Sequence, residues 1–327
     1  ASRPVTFLVS TPDTVSQRFR IRETCSGGGA MIELVKSIMP APTKGKAVLR
    51  ALRSFLLLRE SWVGMIGAGL VLFWIGVALF APLIAPFEPN AQLLPMAKPG
   101  TPFPAGGTFW LGTDQLGRDI LSRIIWGSRT VLFYAPLATI CAYAVGIIMG
   151  LAAGYFRGRL DEILSFVANA ILSFPVLVLY VLVISTIGPS GINIVIAITF
   201  ASAPGIMRIV RGLVLDLRNR DYVAAAQTRG ESPWYIMLVE ILPNARGPLI
   251  VDACLRLGYV VITIGVLGFL GLGLPPPDPD WGGMVNFARP LAILFPHMTI
   301  FPCVAISSLI LGFNLLADGL REISLRD

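Results

Sequence analysis

Apolar residues in this chain fall in long uncharged runs rather than at alternating or helical spacing. Runs of about twenty or more occur at Val63–Ala85, Val131–Tyr155, Ile163–Ile187 and Met298–Ala317, the length an α-helix needs to cross a hydrocarbon core of about 30 Å. A shorter run, Ile192–Met207, is closed by Arg208, and a sixth, Leu249–Leu272, carries Asp252 and Arg256 near its start. Strands of a membrane barrel alternate and are only about ten residues long, so the pattern predicts helices. The expected fold is all-α, a polytopic membrane bundle of about six transmembrane helices.

Composition agrees with a bilayer as the solvent. Only 14% of residues are charged and 55% are hydrophobic, where soluble proteins carry roughly 25% charged residues. The net charge of +7 raises nucleic acid as a partner, but its distribution points to topology. Six crossings put both ends on one side. Residues 1–61, 156–162, 208–248 and the tail after Leu320 then share that side and hold twenty Lys/Arg. The opposite segments, 86–130, 188–191 and 274–297, hold five. By the positive-inside rule the richer side is the cytoplasm, which gives a multi-pass membrane protein with both termini inside. Nucleic acid is not an expected partner. Cys141, Cys254 and Cys303 lie in apolar runs as small hydrophobes, and Cys25 stands in the amino-terminal segment. His297 is the one histidine, so no His/Cys metal cluster is expected.

Residues 1–30 are polar and aperiodic and end in CSGGGA before Met31. They are expected to be a disordered or non-native extension, without the apolar stretch of a signal peptide. Residues 31–61 form a basic, partly amphipathic segment suited to the membrane surface, and residues 62–322 form the transmembrane domain, followed by a tail at 323–327. Within that domain 86–130 is the external segment. There Asp119, Arg123, Ile120, Ile124 and Ile125 predict a short amphipathic helix lying flat at the interface as a structural collar. Gly146, Gly150 and Gly154 recur every four residues and predict close helix packing within the bundle. Pro175 and Pro204 can kink their helices. Asp252 and Arg256 are one turn apart and are expected to pair, with a place on a substrate pathway as the alternative.

A polar island, 208–248, separates two apolar blocks, and its centre reads YVAAAQTRGESPWYIMLVEILPNA from Tyr222 to Ala245. Tyr222–Arg229 has high helix propensity, and its alanines give a small, smooth face. Gly230 permits a sharp turn, Ser232 can cap a following helix, and Pro233 suits that helix's first position. Trp234, Ile236, Met237 and Leu238 supply apolar surface before Leu242-Pro243, which is expected to end the segment. Helix, glycine turn and helix make a compact knob projecting from the membrane between spans four and five. An apolar projection of this kind implies something that grips it.

The island resembles the coupling-loop signature of permease subunits of ATP-binding-cassette importers, which reads Glu-Ala-Ala, three residues, Gly, nine or ten residues, then a hydrophobic–Leu–Pro ending. The match falls on Ala225, Ala226, Gly230, Ile241, Leu242 and Pro243, with Ala224 where the family usually has Glu. LGTDQLGRDILSRIIWGSR (Leu111–Arg129), FLGLGLPPPDPDWGGM (Phe269–Met284) and NLLADGLRE (Asn314–Glu322) look like the dipeptide/oligopeptide/nickel class, in particular its second, C-type permease. Asn169 stands where an acidic residue is common, and Arg256 is unusual. The resemblance implies that Tyr222, Ala224, Ala225, Ala226, Arg229, Gly230, Trp234, Leu242 and Pro243 form the ATPase-coupling site on a cytoplasmic coupling helix. The implied partners are two ATPase subunits, a second homologous permease, an external substrate-binding protein and the lipid bilayer. Implied substrates are di- or oligopeptides, with glutathione-like peptides or chelated nickel as alternatives. No G-x-x-x-x-G-K-[ST] occurs in the sequence, so no ATP hydrolysis, no catalytic residue and no bound cofactor or metal are expected of this chain. An ion-coupled secondary transporter is the rival reading, and it lacks a clean mid-span carboxylate.

Overall fold

The computed structural model describes residues 61–324; the expectations for residues 1–60 and for the end of the tail lie outside them. Helix α1 (Trp62–Leu79) begins at Ser61, whose side chain accepts a hydrogen bond from the Gly64 amide. A single turn, α2 (Ala81–Ile84), leads into a loop that carries a two-residue hairpin, β1 (Thr101–Pro102) against β2 (Thr108–Phe109). The bundle continues with α3 (Ile120–Phe156), α4 (Gly158–Leu172), α5 (Val176–Ile187) and α6 (Gly191–Leu217). Then come α7 (Asp221–Thr228), the short α8 (Pro233–Tyr235), a π turn over Ile236–Ile241, and α9 (Leu242–Phe269). Helix α10 (Trp281–Ala288) and a 3₁₀ turn precede the last helix, α11 (His297–Ser324).

Among the described residues, five helices or continuous helical stretches are long and apolar enough to cross a membrane: α1, α3, α6, the run from α8 through α9, and α11. The expected span at Ile163–Ile187 is not one straight helix. It breaks into α4 and α5, bent by 90° at Ser173–Phe174–Pro175, because Pro175 offers no amide and disfavours helical geometry at the residue before it. The pair nevertheless completes a crossing. Cβ atoms built on Gly146, Gly150 and Gly154 would meet Ile206, Val210 and Val214 in turn, so α3 and α6 run parallel. The chain must therefore return between them. Helix α11 runs antiparallel to α1, with Gly67 against Leu315–Leu316 and Trp74 donating to Ser308. The described ends at 61 and 324 thus lie at one end of the bundle.

The glycine face of α3 packs as predicted. A Cβ on Gly150 would lie 2.6 Å from Val210 Cβ, so the absence of side chains lets two helices meet backbone to side chain. The collar expectation is corrected in geometry. Ile120–Ile125 forms no separate flat helix but is the first turns of α3, capped by Asp119, whose carboxylate accepts from the Ser122 amide. Arg123 is buried there and donates to Pro89 O, Asn90 Oδ1 and Pro277 O at 3.1, 3.0 and 3.4 Å. Trp281, fully buried, donates to Ile124 O. These bonds bolt the loops before α3 and after α9 to the same point, because buried polar groups must find partners. Asp252 and Arg256 pair as expected, Nε to Oδ2 at 2.8 Å.

Candidate functional site

Arg208 does not close the fourth span, since α6 continues to Leu217. Its extra turns carry their charges in pairs: Arg208 donates to Asn169 Oδ1 and Arg211 to both oxygens of Asp161. Arg218, at the end of α6, donates to Tyr155 O of α3 and lies over the Tyr155 ring. Helix α7 starts three residues later. Val223 and Ala226 are wholly buried, whereas Ala224 and Ala225 face out. Tyr222 is half-buried and its hydroxyl has no hydrogen-bond partner among the described residues; burial pushes its pKa up.

The helix ends in a Schellman closure, Glu231 N to Ala226 O and Gly230 N to Gln227 O. Gly230 sits at φ +75° with open space around the position of a Cβ. The glycine is required by backbone conformation, not by crowding. Ser232 then caps α8, its hydroxyl accepting from the Tyr235 amide, with Pro233 at the first helical position. These three features are those read from the sequence.

Leu242-Pro243 does not end the segment. The helix runs on as α9, and the strain of Pro243 is taken up in the preceding π turn, where the Leu242 amide bonds to Met237 O. Proline lacks the amide that a regular turn needs, and the wider register accommodates it. The knob is therefore the first part of a long, rigid lever rather than a detached helix pair.

The apolar residues divide into two sets. Ile236 and Met237, expected as outer surface, are buried together with Ile241. They join Val223, Ala226, Val210, Val214 and Leu151 in one core that ties α7 and the lever to α3 and α6. Trp234, Tyr235, Leu238 and Val239 remain exposed, at 55, 41, 50 and 49%. Trp234 also meets the Phe156 ring edge-on. Arg229 bridges the turn to Glu240, Nη2 to Oε1 at 3.2 Å. Sequence reading missed Glu240, Tyr235 and Val239. The Arg229–Glu240 pair spans eleven positions and exists only once the turn is formed; the exposed pair is visible only after the buried face is known. Of the predicted site residues, Ala224, Ala225, Arg229, Gly230, Trp234 and Pro243 lie at the surface, Tyr222 and Leu242 are intermediate, and Ala226 is core. Among the described residues no group of His, Cys, Asp and Glu has the arrangement of a metal site.

Comparison with known proteins adds the following. The profile described as the inner membrane component of binding-protein-dependent transport systems matches residues 142–327. That of the amino-terminal transmembrane domain of oligopeptide transport permease C matches residues 52–100. A glutathione transport system permease protein of Pectobacterium atrosepticum is 37% identical over 258 residues, 79% of this chain and 85% of that protein. A dipeptide transport system permease protein of Haemophilus influenzae is 37% identical over 265 residues, 79% of this chain and 88% of that one. Among solved structures, a chain of the MetNI methionine ABC transporter in an inward-facing conformation superposes with a TM-score of 0.51 at 18% identity, over 63% of this chain and 95% of that one. That likeness supports the fold.

Proposed function

The chain belongs to the family of inner membrane components of binding-protein-dependent transport systems, and from that premise we propose that it is one half of the translocation path of a peptide importer. Relatives named for dipeptide and glutathione transport support a short peptide as cargo. An ATPase subunit docks on the knob from the cytoplasm, a second permease completes the path, and an external binding protein delivers the substrate. Two ATPase subunits, one for each permease, work the two levers. The amino-terminal side of the lever faces the cytoplasm, because the loops at that end carry the larger share of Lys and Arg.

The observation that carries the reading is the division of the knob into a buried and an exposed apolar face. Val223, Ala226, Ile236, Met237 and Ile241 lock it to α3 and α6. Trp234, Tyr235, Leu238 and Val239 present exposed apolar surface, with the Trp234 ring resting against Phe156 at one edge. A patch of this kind on a rigid stalk marks a protein interface. Because the knob continues without a hinge into α9, force applied to it moves a membrane-spanning helix. Closure of the ATPase dimer on ATP pushes the two knobs together and turns the bundle from inward- to outward-facing, and hydrolysis resets it. Ala224 faces out where the resemblance places Glu, so the charged contact is lost while the apolar one stays.

The test is co-expression with the neighbouring genes, purification of the complex, and assay of substrate-stimulated ATP hydrolysis and uptake with Leu238→Glu in the knob. A charge placed on the docking face is expected to release the ATPase, or to lower stimulated hydrolysis by about tenfold or more, the equivalent of roughly 1.4 kcal/mol, while the permease remains folded. Full assembly and coupling in this variant would refute the docking face. Uptake by the chain without any nucleotide would refute the importer.

A further inference from the structure

A cavity of about 340 Å³ opens between α3, α5, α6 and α9, bounded by Thr139, Tyr180, Ser202, Tyr259 and Thr263 among largely apolar walls. Its one charged lining residue is Arg256. We propose that this cavity is a substrate station on the translocation path, and that Arg256 is its receptor for the carboxylate of the transported peptide. The proposal rests on the importer reading and deepens it by naming the chemical group recognised.

A guanidinium at membrane depth is costly and is kept there by what holds it. Asp252, one turn earlier on α9, accepts from Arg256 Nε at 2.8 Å. The same carboxylate oxygen accepts from the Tyr143 hydroxyl of α3. The acid is thus shared between two donors, and it commits only one of the guanidinium nitrogens. Asp252 and Tyr143 are not among the residues that line the cavity; their hydrogen bonds hold Arg256 in its place on the wall. Its other two nitrogens lie across Gly205 of α6, where a Cβ would stand 3.6 and 3.7 Å from Nη1 and Nη2. The planar end of the guanidinium thus lies beside α6, and Arg256 itself forms part of the cavity wall.

That end is a two-nitrogen fork matched to a carboxylate. The rest of the lining suits the remainder of a short peptide. Thr139 and Thr263 turn their hydroxyls back on carbonyls of their own helices, at 2.8 and 2.9 Å, and so present methyl groups and satisfied oxygens. Tyr259 is two-thirds exposed beside the opening. The volume falls within the range of small-ligand pockets, about 300–1,000 Å³. One cation, few polar groups and an open mouth give a site that selects a charged terminus and releases the rest. A purely structural ion pair needs no cavity in front of it.

Two measurements test this, one of them independent of transport. Arg256→Gln alone strands Asp252, so the working variant is Asp252→Asn with Arg256→Gln, which keeps the pair neutral, and Arg256→Lys is the conservative control. In the first, Ser202→Cys on a chain freed of its other cysteines is labelled in the purified complex by anionic and cationic methanethiosulfonates. The ratio of anionic to cationic rates is expected to fall by about a few-fold in the neutral double variant, because the cation that lines the cavity is lost while the Asp252 charge lost with it lies outside the lining, and to be kept in Arg256→Lys. In the second, proteoliposomes take up a dipeptide and its carboxy-terminal amide, with binding-protein affinity for each measured apart. Uptake of the free acid is expected to fall by about tenfold or more while that of the amide is unchanged, in keeping with a lost charge-assisted hydrogen bond. An unchanged labelling ratio, or equal loss for acid and amide, overturns the proposal. A normal labelling ratio shift with no ATP-dependent uptake of either peptide by the wild-type complex overturns the importer reading and with it the peptide as ligand.

Discussion

Asp280 shows how far a single residue can be read once its surroundings are known. The motif PPPDPDWGGM puts two acidic residues two apart, and nothing in the string separates them. In the structure Asp278 is exposed, whereas Asp280 is buried and caps α10, accepting from the Gly282 and Gly283 amides. Burial raises its pKa from 3.8 to about 6, against the pull of those amides and of Arg123. A carboxyl whose pKa is raised by folding binds its proton more tightly in the folded state. Its stabilising contribution is full below the ordinary value of about 4 and is lost as pH rises through about 6, with about 3 kcal/mol as the upper bound. Asp119, also raised by burial, titrates in the same sense. The Asp280 contribution to thermal stability in detergent is therefore expected to fall between pH 4 and pH 7, so that Asp280→Asn, which keeps an acceptor for the cap, gains in melting temperature relative to the unsubstituted chain as pH rises through that window. A melting-temperature difference that stays constant across the window would assign the pH dependence elsewhere. Residues with a local job were legible: Gly230, Ser232 and Pro233 act within their own turn. Glu240 and Asp280 were not, because their roles depend on neighbours brought in by the fold.

Elements divide along the same line. The helical runs were legible because hydrocarbon tolerates little else. What the pattern missed is where helices continue and where they break. Two charged stretches, at Arg123 and at Arg208–Arg211, look like ends in a hydropathy reading, yet the helix passes through both, because each charge finds a partner on a neighbouring element. Pro175 and Pro243 look alike in sequence and act oppositely. The first breaks its helix by 90°, while a π turn lets the second continue. The glycine face of α3 is a sharper test of element packing. Gly150→Val brings a branched side chain against Val210, where even a Cβ would be 2.6 Å away, and α3 and α6 must part. Overpacking of a tight core costs about 1–3 kcal/mol, so the melting temperature of the purified permease is expected to drop. Gly212→Val on α6, with open space at its Cβ, is the control and is expected to lose no stability, because valine is a better helix former than glycine by about a few tenths of a kcal/mol. Equal loss in the two variants would mean that the close approach does not decide the packing.

At the scale of the whole molecule, the number of crossings between residues 61 and 324, and which loops share an end of the bundle, follow from the relative direction of helices. Because α3 and α6 are parallel, the bent pair α4–α5 must carry the chain back, and the sixth crossing rests on that geometry rather than on its own hydropathy. Arg157 and Arg159, next to α4, lie at the same end as the knob, since Arg218 at the foot of α6 reaches Tyr155. Lys98, Arg118 and Arg289 belong to the loops at the other end, around the hairpin and α10. The charge bias computed from the string and the direction of the helices are independent, and they agree. The agreement makes a definite prediction for a chain freed of its own cysteines. Gln92→Cys and Asp278→Cys are expected to react with a membrane-impermeant maleimide on intact cells with a permeabilised outer envelope. Asn219→Cys and Gln227→Cys are expected to react only in inverted vesicles. All four positions are exposed in the structure, so a failure to label in either orientation reports coverage by a partner and not burial in the chain. At Gln227 that protection should appear when the ATPase is co-expressed and vanish when it is stripped away. Labelling of Gln92→Cys and Gln227→Cys from the same side would mean that the chain crosses an even number of times between them, and the parallel pairing of α3 with α6 would then be wrong.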